Sequence, residues 1–354
     1  MATTLRDLAQ ELGVSTMAVS MALRNHPRVS LELRARAQAL AQARGYVPNP
    51  AWSRRSASRR RPGEPVMPAA LLTQLNPIWP YPPMNFIEAL TRSAREMGYR
   101  LAVYQQDETM PPERLQQVLW QTGVEALLIG PVFDVRIFDR LPWPQFSVLA
   151  VGSGHFVPPC HWVTLDVGRA LWDILNRCLE RGYRRMALVD YLEPQGPADA
   201  FERMGAIGWA RHRARREGWS FEVFETLPKR ESAVLEALRT FHPDAIIGQT
   251  PSIWFALKDW MSRSRQRIGF VAWRLDPPSL PYRLCGFSED LTPLAAYAIR
   301  VLDAEVRAFQ RGLPQVPVKQ LVPMRWIEGD SLPARRKPRS APGRVKRTRA
   351  SRVG

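Results

Sequence analysis

Arginine is the residue whose placement first suggests chemistry. Positions 1–61 hold 11 Arg, no Lys and three acidic residues, and positions 335–354 hold nine basic residues and no acid. Between them, positions 62–334 balance 30 basic against 30 acidic side chains, so the net charge of +17 belongs to two ends flanking a neutral body. Guanidinium groups without neutralising carboxylates point to a polyanion, either a nucleic acid or an anionic membrane. Residues that could do covalent or metal chemistry are sparse. There is no phosphate-binding Gly-rich loop, no Gly-x-Gly-x-x-Gly and no His-Glu-x-x-His, and Gly152-Ser153-Gly154 is too short for a nucleophile elbow. Cys160 and His161 are adjacent, but no second pair at ligand spacing accompanies them. The sequence therefore implies no enzyme, no metal and no cofactor.

The elements that would carry the charge are readable. Thr4-Leu-Arg-Asp7 fits a capping box, Leu5, Leu8, Ala9 and Leu12 follow at helical spacing, and Gly13 ends that helix. Ser15 caps a second helix with Ala18, Val19, Ala22 and Leu23 on one stripe, and Asn25-His26-Pro27 breaks it. Ser30 caps a third, whose Leu33, Ala37, Leu40 and Ala41 face inward, and Gly45 stops it. Two short helices joined by Gly-Val-Ser form a helix-turn-helix pattern; a generic three-helix protein-binding module is the competing reading. Residues 48–67, with five prolines to Pro68 and arginines at 54, 55 and 59–61, form a cationic hinge or linker.

From residue 68, apolar runs alternate with amphipathic helices. Strands are expected at 69–73, 100–105, 126–129, 147–151, 185–191, 222–225, 244–248 and 267–273. Helices are expected at 85–97, 112–121, 133–141, 168–181, 200–217, 231–240, 253–263 and 293–311. An extended stretch follows at 316–327. This alternation predicts α/β architecture with parallel sheets, two of about five strands. No run reaches the roughly 20 apolar residues that span a bilayer, and Met1-Ala-Thr-Thr-Leu-Arg6 lacks the apolar stretch of a signal peptide. Three cysteines without a Cys-x-x-Cys suit a reducing cytoplasm.

Thr4-Leu-Arg-Asp-Leu-Ala-Gln-Glu-Leu-Gly-Val-Ser-Thr-Met-Ala-Val-Ser20 resembles the N-terminus of LacI/GalR-family transcription regulators, continuing through Asn25-His-Pro-Arg-Val-Ser30 and Gly45-Tyr-Val-Pro-Asn49. Leu165-Asp166, Gly182-Tyr-Arg-Arg-Met-Ala-Leu188 and Trp326-Ile-Glu-Gly-Asp-Ser-Leu332 resemble segments of the family's body. The resemblance covers roughly residues 1–333 and implies an all-α helix-turn-helix head (1–47), a hinge (48–67) and a two-lobed periplasmic-binding-protein-like α/β domain (68–334) that binds an effector and dimerises. The Arg/Lys/Pro/Ser/Gly-rich composition of residues 335–354 predicts a disordered basic tail.

By position, the resemblance places Thr16, Met17, Ser20 and Met21 at base edges in the major groove. Polar residues, one of them Arg, occupy the two Met positions in familiar members, so direct readout is expected to be reduced here. Arg24, Asn25, Arg28 and Ser30 become phosphate or base contacts, with Leu5, Arg6 and Ser15 near the backbone and Tyr46, Asn49 and Arg54 continuing the surface. The family's hinge helix wedges a Leu into the minor groove; Arg55 stands at that position, and Trp52 is the bulky apolar alternative. A hinge that never becomes helical is equally open.

For the effector, the implied cleft lies at strand C-termini. Trp79, Trp162 and Trp273 fall at its loops, with Gln249, Thr250 and Ser288 as polar candidates. Where family members hold sugars with an Arg and an Asp, this chain has Gly205 and Arg274, which argues for an anionic or altered sugar-like effector, or none. The sequence thus points to a regulator, a repressor, binding double-stranded DNA as a homodimer, with no membrane partner. The alternative is a ligand-independent architectural DNA binder using its charged tail.

Overall fold

The computed structural model describes residues 4–23, 29–44, 46, 67–74, 84–105, 112–132, 135–152, 158–191, 197–227, 229–265 and 267–335. Three helices come first: α1 (Leu5–Leu12), α2 (Thr16–Leu23) and α3 (Leu31–Ala43). Thr4 and Asp7 close a reciprocal capping box at α1, and Gly13 ends it at φ 68°, a left-handed conformation that glycine adopts without strain. Ser15 Oγ accepts from Ala18 N (3.1 Å) and Ser30 Oγ from Leu33 N (3.2 Å), so both expected caps are present. Leu8, Val19, Ala22, Leu23, Val29 and Ala37 bury one another in a core separate from those of the body.

Two α/β lobes follow. Strands β1 (Met67–Thr73), β2 (Tyr99–Gln105), β3 (Ala126–Ile129), β4 (Ser147–Val151), β5 (His161–Leu165) and β11 (Lys319–Val322) make the first sheet, ordered β11-β5-β4-β3-β1-β2 and parallel throughout. The second contains β6 (Arg185–Tyr191), β7 (Ser220–Thr226), β8 (Ala245–Gly248), β9 (Gly269–Leu275), β10 (Cys285–Ser288) and β12 (Arg325–Ile327). Its order is β12-β10-β9-β8-β6-β7, with only β12 antiparallel. Helices α4 (Met84–Glu96), α5 (Pro112–Gln121) and α10 (Thr292–Arg307) cover the first sheet; α6 (Val167–Glu180), α7 (Pro197–Glu217), α8 (Leu235–Phe241) and α9 (Pro251–Arg263) cover the second.

Each sheet has six strands rather than the expected five. Strands β5 and β10 were not anticipated: one is preceded by Pro158-Pro159, and the other is four residues long and contains Gly286. The stretch 316–327 divides into β11 and β12, which serve different sheets. Residues 133–141 contain a 3₁₀ segment (Val135–Arg140) in place of an α-helix. The expected hinge and all but the first residue of the expected tail lie outside the described residues.

The chain passes between lobes three times, at Leu165–Val167, Ser288–Thr292 and Val322–Arg325. One apolar cluster bridges them, joining Phe86 and Leu90 of α4 and Leu294 and Ala298 of α10 to Leu171 and Ile174 of α6 and Trp273 of β9. After the last crossing, Trp326 sets its ring on Phe287 (centroids 5.3 Å) beneath the Arg177 guanidinium (4.4 Å). Ser331 Oγ accepts from Cys285 N and donates to Phe270 O, both at 2.8 Å, tying β9 to β10. Gly329 is required there because a Cβ would stand 2.1 Å from Arg283 O. Gly329→Ala therefore displaces the segment from the sheet edge. The expected cost is about 2 kcal/mol or more, read as a fall of about 5 °C in thermal midpoint by calorimetry.

Candidate nucleic-acid interface and ligand cleft

Helix α2 divides its residues between two tasks. Val19, Ala22 and Leu23 are buried in the head core, while Thr16 is exposed and Met17 is 70% exposed. Ser20 and Met21 sit between, half-buried, with Met21 packed on the core edge. Leu5 is also half-buried on that core and Arg6 is exposed beside it. Ser15 and Ser30 are exposed caps; each hydroxyl accepts a backbone N–H and keeps its own proton to donate. Other charges are already engaged: Arg44 pairs with Glu11 (2.9 Å), and Arg34 Nε donates to Val29 O (2.8 Å). Tyr46 is half-buried and stacks on Phe309 of the body (6.2 Å between centroids), and burial raises its phenol pKa. Arg24, Asn25, Arg28, Asn49, Arg54 and Arg55, together with Trp79, lie outside the described residues.

In a doubly wound sheet the crevice opens where strand order reverses, beyond the carboxyl ends. In the first lobe that point lies between β1 and β3, and it is laced shut. Thr73 Oγ1 donates to Pro131 O (3.0 Å), and Gln74 N donates to the same oxygen (2.7 Å). In the second lobe it lies between β6 and β8, where Gln249 is buried and its Oε1 accepts from Tyr191 N (3.2 Å). The Tyr191 hydroxyl donates to Glu231 Oε1 (2.7 Å) and contacts Ser252, whose hydroxyl lies 2.7 Å from that of Thr250. Burial pushes the Tyr191 phenol up to about 12. Arg274 forms an ion pair with Glu289, and Arg203 pairs with Asp190 at 3.1 Å, all four side chains largely buried. Ser288 Oγ accepts from Asp290 N (3.2 Å).

The structure thus brings Gln249, Thr250, Arg274 and Ser288 to one edge of one lobe. It adds Asp190, Tyr191, Arg203, Glu231 and Glu289. The two tryptophans sit differently. Trp273 is 1% exposed, with Nε1 donating to Val167 O (3.0 Å). Trp162 is buried, with Nε1 on Gly152 O (2.8 Å) and the Lys319 ammonium 3.6 Å from its ring centroid. Both indoles are structural walls whose polar atoms are committed to backbone. Cys160, Cys178 and Cys285 are buried free thiols; burial pushes Cys160 up to about 12 and raises Cys178 as well. Among the described residues, no three His, Cys, Asp or Glu side chains converge as a metal site, and no helix is long and apolar enough to cross a membrane.

A helix-turn-helix head ahead of a two-lobed, doubly wound body is a build shared with ligand-responsive regulators. Residues 4–49 match the lacI family of bacterial regulatory proteins. The head thus matches that family by sequence, and the body shares its fold with solved LacI-type regulators. The HTH-type transcriptional regulator RafR of Escherichia coli is 26% identical over 191 residues, 52% of this chain and 54% of that protein, so the match spans about half of that relative's length. The Lac repressor dimer bound to operator and the anti-inducer ONPF aligns with a TM-score of 0.56 at 17% identity, covering 94% of this chain and 100% of that one. A LacI-family regulator from Bifidobacterium animalis subsp. lactis gives 0.59 at 18% identity over 76% and 98%. The CelR–cellobiose complex gives 0.55 at 16% over 93% and 99%. At these identities the structural likeness concerns the fold.

The head's cap carries a pH signature. The Asp7 carboxyl is held below its usual range, first by the Thr4 backbone N–H and then by the Thr4 hydroxyl. A carboxyl whose folded pKa is depressed contributes stability above its unfolded pKa and loses it as pH falls through the folded value. Asp7→Asn should therefore lower the head's melting point at neutral pH. The gap to wild type should close as pH falls below the ordinary Asp value near 4, followed by circular dichroism melts across a pH series.

Proposed function

We propose that the chain is a sequence-specific DNA-binding transcriptional regulator, a repressor, that acts in the cytoplasm as a homodimer on a pseudo-palindromic operator. The observation that carries this reading is α2. Its inner face is buried in the head core, and its opposite edge leaves Thr16 and Met17 exposed, as Arg6 of α1 is. A helix anchored this way can enter a major groove without losing its own packing. In this reading Leu5, Ser15, Ser20, Met21, Ser30 and Tyr46 are further DNA contacts, as are Arg24, Asn25, Arg28, Asn49, Arg54 and Arg55. The working division is a head at 1–47, a hinge at 48–67, an effector and dimerisation body at 68–334 and a basic tail at 335–354. Two-fold pairing is supported by the aromatic edge of Phe255, Leu280 and Tyr282, each more than a third exposed, around Trp254.

The ligand in this reading is a small molecule, sugar-like or anionic, held between the lobes against Gln249, Thr250, Arg274 and Ser288. Trp162 and Trp273 stiffen the walls, and Trp79 is a further candidate contact. An anion would have to draw Arg274 from Glu289, so it would exchange one partner for another. Differential affinity for two lobe arrangements then shifts the DNA-competent population.

Selection of bound duplexes from random DNA, followed by fluorescence anisotropy on the winner and a scrambled control, tests this. A specific-to-nonspecific ratio of about 10³ or more is expected. A ratio below about tenfold sinks the reading. Removing 335–354 should flatten the salt dependence while leaving the preferred sequence unchanged.

A further inference from the structure

A cavity of about 510 Å³ opens on the flank of the lobe seam, between α6, α7 and β11. It is lined by Asp166, Gly168, Arg169, Trp172, Glu202, Ala206, Trp209 and Leu321, none of which belongs to the Gln249–Arg274 edge. Its volume lies within the range of small-molecule pockets, roughly 300–1,000 Å³. Trp172 and Trp209 form one aromatic wall, with centroids 4.0 Å apart and planes tilted by 35°. Arg213 sits over both rings at 5.0 and 5.3 Å and is itself held by Glu217 (2.8 Å) and Asn176 (2.7 Å), so the wall is braced. The floor is kept open by small residues: a Cβ at Gly168 would lie 3.9 Å from Ala206 Cβ. Even so, Trp172 remains 38% exposed, a large apolar surface that the fold itself leaves uncovered.

The rim is polar: its two cations are each paired with a carboxylate, and the remaining carboxylate, Asp166, faces the positive N-terminus of α6. Asp166 caps α6 through Arg169 N (2.9 Å), Arg169 pairs with Asp173 (3.2 Å), and Glu202 pairs with Lys319 (2.5 Å). A balanced rim favours an uncharged ligand. Carboxylates beside guanidinium and ammonium groups supply acceptors and donors together, and paired indoles accept a flat apolar face. A ring that is apolar on its face and hydroxylated at its edge satisfies all three conditions.

We propose that this cavity binds a neutral saccharide unit, its C–H face on the Trp172–Trp209 wall and its hydroxyls on Asp166 and Glu202. Glu202 belongs to the second lobe, and its partner Lys319 belongs to the first, so an occupant engages the contact that spans the lobes. The site does not depend on the DNA-binding reading, because occupancy is measured without DNA.

The test uses the full chain with glucose, galactose, cellobiose, melibiose and raffinose, each at about 10 mM, ten times a millimolar Kd. Thermal shift and tryptophan fluorescence are recorded for wild type, Trp172→Ala, Ala206→Phe and Gln249→Ala. At least one sugar should raise the wild-type melting point by about 2 °C or more and perturb its fluorescence. The same sugar should act on Gln249→Ala and not on the two cavity variants. Trp172→Ala removes a partly exposed ring, so it keeps the test valid if Ala206→Phe melts without cooperativity. The proposal is overturned if no sugar in the panel shifts the wild type. It is overturned equally if the shift survives Trp172→Ala or is lost in Gln249→Ala alone.

Discussion

Only Pro323 and Met324 separate a strand of one sheet from a strand of the other. With so short a link, the lobes can turn about each other but cannot part. The other two crossings, at Leu165–Val167 and Ser288–Thr292, impose the same limit from neighbouring positions. Every inter-lobe feature follows from this restriction. The shared apolar cluster can remain continuous because its two halves never separate. The Lys319–Glu202 pair can form because β11 is held alongside β5, facing α7. A body built this way has one soft coordinate, the angle between lobes, and a ligand at the seam acts on that coordinate.

Charged and hydroxyl groups at the seam are engaged with one another before any ligand arrives. Arg274 with Glu289 and Arg203 with Asp190 bury charge in pairs, and Tyr191, Glu231, Thr250 and Ser252 share a hydroxyl network. Buried pairs of this kind contribute little net stability compared with apolar packing. Their effect is to fix side-chain positions and to set a threshold, because a ligand entering that edge must replace bonds already made. The flank cavity presents the opposite balance: an uncovered indole and a rim whose charges are paired at its margin.

Much of the fold was legible in the sequence, for local reasons. Thr4, Ser15 and Ser30 cap helices because a short side-chain oxygen meets an unpaired backbone N–H within one turn. The longer buried strands were legible as apolar runs. What escaped depended on distance along the chain. Strand β10 is too short and glycine-bearing to signal itself, and the split of 316–327 depends on where two sheets lie, not on local pattern. At the site, position within a loop did not reveal which way an indole turns. Trp162 and Trp273 face inward, while Trp172 and Trp209, 37 positions apart on separate helices, meet at the surface. Arg274 looked like a charge offered to a ligand because its partner, Glu289, lies a whole strand-to-strand connection away.

The late arrival of β11 and β12 has a consequence for biosynthesis. The three-helix head has its own core and contains everything that core needs once Tyr46 has left the ribosome. The first lobe's sheet, by contrast, begins at β1 but gains its edge strand only from residues 319–322, after all but one strand of the second lobe has been translated. Domains generally fold as they emerge, so β5 waits as an unpaired parallel edge while residues 166–318 are made. Completion of both lobes thereby waits for residues 319–327, and a chain released before them would carry a folded head on an unfinished body.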